Sequence, residues 1–326
     1  MPEPLRFLGQ AHPPLLPGGT YTSVAGTRVG IAQAAIKRAG LDDVVVLVAP
    51  GPTAAVTTRS TAASAPCLWT RARVPADCVA VVVNSGNANA STGEQGHADT
   101  GLMAGEVALV LGCSPDAVLV CSTGVIGVPM PMGRVLPGVR AAASALGTDG
   151  DRAARAILTT DLVDKQAACT VDGITVGGFA KGSGMIHPDM GTMLGFIATD
   201  ATVSSEDLQA LTQSVCDRTF NAVTVDGDTS TSDTLIVQST GAGQPVTPGS
   251  PAWTALDRAL AAVCTFLARA IARDGEGAEH LITVIMEGLA TDAEAREAAR
   301  AVARSPLVKT AVHGRDANWG RVVGAL

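Results

Sequence analysis

The sequence predicts an α/β protein in which strands and helices are mixed along the chain. Three observations carry that reading. Hydrophobic residues make up 47% of the 326 residues and charged residues 16%, the balance of a chain that buries a large core. Aromatics are only 3%, so that core is built from Ala, Val, Leu and Ile. Short apolar runs bounded by turn residues interleave with helical patterns, without a strict βαβ beat and without a repeat of roughly 20–50 residues.

Taken in order, residues 1–20 are rich in Pro and Gly and read as irregular. Val44–Val48 (VVVLV) reads as a buried strand. Ala54–Thr58 reads as its hairpin partner or neighbour across Pro50-Gly51-Pro52. Val79–Val83 is a further strand, ending in the polar run Asn84–Asn89. The pattern from Glu94 to Leu111 is helical, with Gly112 as its stop. Val118–Cys121 is a short strand running into a turn at Thr123-Gly124. Pro137–Leu146 predicts a helix with Pro137 in its first turn, and 151–158 a second one capped by Asp151. A strand pair is expected around 168–175. Ser204–Asp207 starts a helix that runs to about Arg218, and Leu235–Gln238 is a strand. Trp253–Arg273 is a long Ala-rich helix, Leu281–Met286 a strand, and Asp292–Arg304 an amphipathic helix.

Composition also excludes functions. The net charge is −7 and the longest basic run is TRAR at Thr70–Arg73, which argues against a nucleic-acid partner. Seven cysteines are scattered singly, with no CxxC, so free thiols in a reducing cytoplasm are expected and zinc is not. The five histidines include no HxxxH pair. The N-terminus carries too many prolines for a signal peptide, and no apolar run reaches membrane-spanning length.

The stretch Lys181–Asp200 (KGSGMIHPDMGTMLGFIATD) passes from a Gly-rich loop to a short apolar strand at Gly191-Thr192. Thr192 there is either an ordinary strand start or the product of a bond that cleaves itself, which would leave a hydroxyl beside its own α-amine. The order of Lys181 and the glycines does not suit a phosphate loop. Asp226, Asp228 and Ser230 have the spacing of a calcium-loop start. Thr231 and Val237 stand where that loop needs Gly and Glu, so calcium is rejected and a hydrogen-bonded turn network is expected. His187 is a loop histidine or a general base. Thr123-Gly124 is a turn or an oxyanion hole. Lys181 is a solvated charge or a carboxylate clamp, and Glu276 a turn residue or an anchor for an amine.

Seven blocks read together narrow these choices. They are NSGNANASTGEQG (84–96), CSTGVIG (121–127), RAILTTD (155–161), KGSGMIHPDMGTML (181–194), RTFNAVTVDGDTSTSDT (218–234), DGEGAEHLI (274–282) and SPLVKTAVHGRDANWGRV (305–322). In this order, across nearly the whole chain, they resemble the ornithine acetyltransferase / glutamate N-acetyltransferase family of arginine biosynthesis. The resemblance implies a layered sandwich of mixed β-sheets covered by helices, of the self-processing N-terminal-nucleophile type. It implies a cut between Gly191 and Thr192, giving an α chain 1–191 and a β chain 192–326. Thr192 would be the nucleophile, Thr123 and Gly124 the oxyanion hole, and Thr159, Lys181, Thr192 and Glu276 the substrate contacts. The substrates implied are N2-acetylornithine and glutamate, with acetyl-CoA as a conceivable further donor, no metal or other cofactor, and an α2β2 heterotetramer in the cytoplasm.

Two departures stand beside the resemblance. Gly191 precedes the nucleophile where the family usually has Ala. The chain ends soon after the NWGR block, where the family continues to an Asn and a Thr that close the substrate site. Two alternatives therefore accompany the acetyltransferase reading: an aminopeptidase or amidase of related fold, and an uncleaved short homologue without activity.

Overall fold

The structure, a computed structural model, describes residues 6–7, 10–187 and 193–326. Its frame is one eight-stranded mixed sheet. The strands are β1 (Arg28–Ala32), β2 (Val44–Thr57), β3 (Ala76–Asn87), β4 (Val118–Val125), β5 (Lys165–Val171), β6 (Ile174–Lys181), β7 (Leu194–Thr199) and β8 (Thr234–Ser239). The order across the sheet is β4-β3-β2-β8-β7-β6-β5, with β1 also paired to β2. Pairs β3–β4 and β7–β8 are parallel and the remaining pairs antiparallel.

The expected hairpin across Pro50-Gly51-Pro52 does not form. β2 runs straight through it for 14 residues, with the register shifting between Val48 and Gly51. Such a bulge bends a strand without ending it. The first half of β2 pairs with β1, the second half with β8, so the bend divides the sheet into two halves.

Alternation along the strands shows how the halves stack. Val45, Leu47, Val81, Val83, Leu119 and Cys121 of one half join Phe179, Leu194, Phe196, Ala198 and Ile236 of the other in one buried cluster. The alternate residues of the first half (Val44, Val46, Ala80, Val82, Val118, Val120) pack under α2 (Gly93–Leu111) and α3 (Met132–Ser144). Those of the second half pack under α5 (Ser205–Arg218) and α6 (Pro251–Arg273). The result is a helix–sheet–sheet–helix sandwich whose two inner layers belong to one continuous sheet. This is the layered α/β sandwich expected from the resemblance.

Local chemistry sets the helix ends. Ser64 caps α1 (Ala65–Arg71), Ser204 caps α5 and Ser250 caps α6, each accepting from a backbone amide. Gly112 ends α2 in the left-handed conformation. α3 starts at Met132, so Pro137 lies inside it and not in its first turn. α4 is Gly150–Ala156, and its cap is Asp149, whose side chain accepts from the Arg152 amide, in place of Asp151. The strand expected at 281–286 is absent: that segment takes no strand pairing and lies half-exposed. The chain closes with α7 (Asp292–Arg304), α8 (Pro306–His313) and α9 (Trp319–Gly324).

Candidate active site

Three strand ends build the site. β4 continues through Ser122, Thr123 and Gly124, where the sequence suggested a turn. Gly124 adopts φ 132° and packs against the backbone of Gly86 and Asn87 on β3. A Cβ there would overlap that backbone, so the close approach of the two strands requires glycine. Thr123, only 7% exposed, is thereby fixed at the end of the sheet.

Lys181 is the last residue of β6 and is almost fully buried. Its register partner on β7 is Leu194. Its Nζ donates to Thr159 Oγ1 at 2.7 Å and approaches Thr123 Oγ1 at 3.4 Å. Thr159 lies in the loop that follows α4. Three residues separated by up to 58 positions are therefore drawn together around one ammonium group.

Beneath that group lies a buried charge network that sequence reasoning did not assign. Asp161 Oδ2 is 3.8 Å from Lys181 Nζ. Asp161 Oδ1 accepts from Lys165 Nζ at 2.7 Å and from the Gly182 amide at 2.6 Å. Lys165 also donates to Asp274 Oδ2 at 2.6 Å, and that carboxylate accepts from the Leu162 amide. Two ammonium groups thus face two carboxylates out of water. Burial pushes Lys181 below its usual lysine range, although Asp161 opposes this. Burial alone would raise Asp161, but Lys181, Lys165 and the Gly182 amide together hold it below the usual carboxylate range. Asp161 and Asp274 stood in two of the seven blocks, TTD and DGEG; their position there was the available signal.

The same network places Glu276. Ser183 Oγ donates to the Asp274 carbonyl at 2.7 Å, and the Glu276 amide donates to the Ser183 carbonyl at 2.9 Å. The Glu276 carboxylate comes to lie over Gly184, where a Cβ would collide with it. Lys37 approaches from the other side, its stem packed over Gly86 and its Nζ donating to the Ala156 carbonyl at 2.9 Å. Burial lowers its pKa to about 8.

Gly191 and Thr192 lie outside the described residues. Their neighbour Met193 accepts at its carbonyl from the Thr234 amide at 3.0 Å. The His187 ring meets Thr224 Oγ1 and Arg300. Asp226 accepts from the amides of Met185, Ile186 and Asp228, which is the turn network expected in place of calcium. Among the described residues no group of three or more His, Cys, Asp or Glu is placed to hold a metal ion, and no helix is long and apolar enough to cross a membrane.

Comparison with known proteins identifies the family. The model of the ArgJ family matches residues 28–326. The arginine biosynthesis bifunctional protein ArgJ of Symbiobacterium thermophilum is 52% identical over 320 residues, covering 94% of this chain and 80% of that protein. The ArgJ protein of Thermosynechococcus vestitus is 47% identical over 321 residues, covering 94% and 76%. Among solved structures, the ornithine acetyltransferase of Mycobacterium tuberculosis complexed with ornithine aligns with a TM-score of 0.52 and 38% identity, covering 55% of this chain and 98% of that one. With a family match over nearly its full length and relatives at this identity, the chain belongs to the ArgJ family and is an acyltransferase.

Proposed function

We propose that this chain moves an acetyl group from N2-acetylornithine to L-glutamate through an acetyl ester on Thr192, after cutting itself between Gly191 and Thr192. The observation that carries the reading is the convergence on Lys181. One buried ammonium touches Thr159 and Thr123 and sits in register with the strand that begins two residues after Thr192. Family membership and the ornithine named for the Mycobacterium tuberculosis structure support the choice of substrate.

In self-processing, Thr192 Oγ attacks the Gly191 carbonyl carbon. The C–N bond breaks and the nitrogen leaves as the α-amine of Thr192. Water opens the resulting ester, giving chains 1–191 and 192–326. In turnover, the α-amine takes the Oγ proton as Oγ attacks the acetyl carbonyl. Thr123 Oγ1 accepts from Lys181, which leaves its own hydrogen to donate; with the Gly124 amide it meets the developing oxyanion. Each such donor is typically worth ~100–1000-fold in rate. Ornithine leaves with the proton held by the amine, and glutamate then attacks acetyl-Thr192, so the kinetics are ping-pong.

Thr159 and Lys181 receive the substrate carboxylate and Glu276 its amine. Every step is done by side chains, the Thr192 amine and the Gly124 amide, so no metal or other cofactor is called for, and acetyl-CoA is a further donor to be tested. We place the enzyme in the cytoplasm as an α2β2 assembly, without nucleic-acid or membrane partners. Replacing Thr192 with Ala abolishes both the cut and acetyl transfer, read by intact mass and by glutamate-dependent formation of N-acetylglutamate. A cut, active Thr192→Ala protein contradicts the reading. Amide hydrolysis without glutamate dependence would identify an amidase instead.

A further inference from the structure

One lysine beside the site has no part in the mechanism above. Lys37 lies in the loop between β1 and β2. The buried Asp43 carboxylate holds that loop: its oxygens accept from the amides of Ala34 at 2.7 Å, Ile36 at 2.6 Å and Lys37 at 3.1 Å. The Lys37 stem crosses Gly86, where a Cβ would stand 2.9 Å from its Cγ. Gly86 is the register partner of Gly124, so the stem runs along the strand that abuts the proposed oxyanion hole. The Nζ ends on the Ala156 carbonyl at 2.9 Å, which also accepts from Ser85 Oγ at 2.6 Å. Ala156 stands three residues before Thr159.

The charge of Lys37 is the least matched at the site. Among the described residues its ammonium bonds only carbonyls, that of Ala156 and, at 3.5 Å, that of Asp42. The carboxylates that favour its charge are Asp43, Asp161 and Asp42, and Lys181 opposes it. Asp43 is taken up by its three amides, Asp42 by Arg152, and Asp161 by Lys165 and the Gly182 amide. Burial outweighs them, and the Lys37 pKa falls to about 8. An anion in direct contact would restore the charge that burial disfavours. The other two lysines differ. Lys165 is sealed between Asp161 and Asp274, and Lys181 is almost fully buried against Thr159. Lys37 is only half-buried, so a ligand can reach it.

The donor and acceptor of the proposed reaction carry opposite side chains. In N2-acetylornithine the free amine is at the end of the side chain, and it goes to Glu276. Glutamate ends instead in a carboxylate, which Glu276 repels. With the α-carboxylate of either substrate on Thr159 and Lys181, the second carboxylate of glutamate needs another cation. We propose that Lys37 binds the side-chain carboxylate of glutamate and so selects the acetyl acceptor. The proposal rests on the acetyl transfer proposed above. The cationic side chain of the donor turns toward Glu276 over Gly184, and the anionic side chain of the acceptor toward Lys37 over Gly86. Lys37 makes and breaks no covalent bond; it sets which amino acid receives the acetyl group.

The test uses the full chain and separates the two halves of the reaction. Wild-type protein given N2-acetylornithine and glutamate reports the transfer; a wild type that forms no N-acetylglutamate overturns the proposed reaction and this inference with it. Lys37→Met keeps the apolar stem and removes the charge. Its kcat/KM for glutamate falls about 10–100-fold, the range of one hydrogen bond to a charged group. Its kcat/KM for N2-acetylornithine, which in a ping-pong scheme reports the first half-reaction alone, does not fall with it. Glutamine offered as acceptor lacks the charge: the wild type favours glutamate over glutamine, and Lys37→Met loses that preference. An active wild type whose Lys37→Met variant keeps its kcat/KM for glutamate, or loses both substrates alike, overturns this inference alone. Where the variant does not fold, a crystal structure of the wild type with glutamate decides. The side-chain carboxylate then lies against Lys37 Nζ, and a separation of more than about 4 Å overturns the proposal.

Discussion

Replacing Asp161 with Ala tests the buried network that holds Lys181 in place. The substitution removes the carboxylate that accepts from Lys165 at 2.7 Å and from the Gly182 amide at 2.6 Å, and that stands 3.8 Å from Lys181. Lys165 then keeps Asp274, Lys181 loses the carboxylate 3.8 Å away, and the Gly182 amide loses its acceptor. Removing one partner of a buried ion pair costs about 3–5 kcal/mol, because the other charge stays buried. At roughly 2 °C per kcal/mol for a chain of this size, the melting temperature falls by about 6–10 °C. Thermal unfolding followed by circular dichroism at neutral pH measures the shift. Combining Asp161→Ala with Lys165→Met removes one of the stranded charges and recovers part of the loss. The pH dependence carries a sign. The folded-state pKa of Asp161 is lowered, so its contribution is present above the unfolded value of ~3.9. It is lost as pH falls through the folded value. A melting temperature within about 2 °C of wild type, with no coupling to Lys165, refutes the network as a source of stability.

The other expectations concern the strand ends and the caps. Gly124→Ala sets a Cβ against the Gly86 backbone at φ 132°; it displaces the Thr123–Gly124 donors and lowers kcat by about 100-fold or more, and a kcat within a factor of two of wild type contradicts this. Burial lowers the Lys181 pKa, so substrate carboxylate binding weakens at a lower pH than an ordinary lysine near ~10.4 would give, and KM rises on the alkaline side while Lys181→Met shows a high, pH-flat KM. The same shift makes charged Lys181 a cost to stability below its folded pKa, relieved as pH rises toward the unfolded value. Ser204→Ala removes the side-chain acceptor for the Asp207 amide at the start of α5 and costs about 1 kcal/mol of stability, without changing KM.

The sequence made the mixed α/β class legible because its strands and helices announce themselves locally. Val44–Val48 and Leu235–Gln238 are apolar runs of strand length, and Trp253–Arg273 and Asp292–Arg304 carry helical periodicity between clear caps. What failed depends on partners remote in the chain. β2 passes through Pro50-Gly51-Pro52 because β8 and β3 continue to pair beyond the bulge. The run at 281–286 looks like a strand but pairs with none and lies half-exposed. Thr123, Lys181 and Glu276 each had an ordinary reading on their own, and only the order of seven blocks joined them. Lys165 and Asp274 went unassigned because their bond spans 109 residues, a pairing that no local pattern records.

The central claim is that Thr192 carries the acetyl group between donor and acceptor. Incubating the purified protein with N2-acetylornithine alone, then digesting it and weighing its peptides, tests that most directly. The account requires the peptide beginning at Thr192 to gain one acetyl group and to lose it on addition of glutamate, with N-acetylglutamate appearing in equal amount. Acetyl transfer from N2-acetylornithine to glutamate with no acetyl group ever found on Thr192 would contradict it.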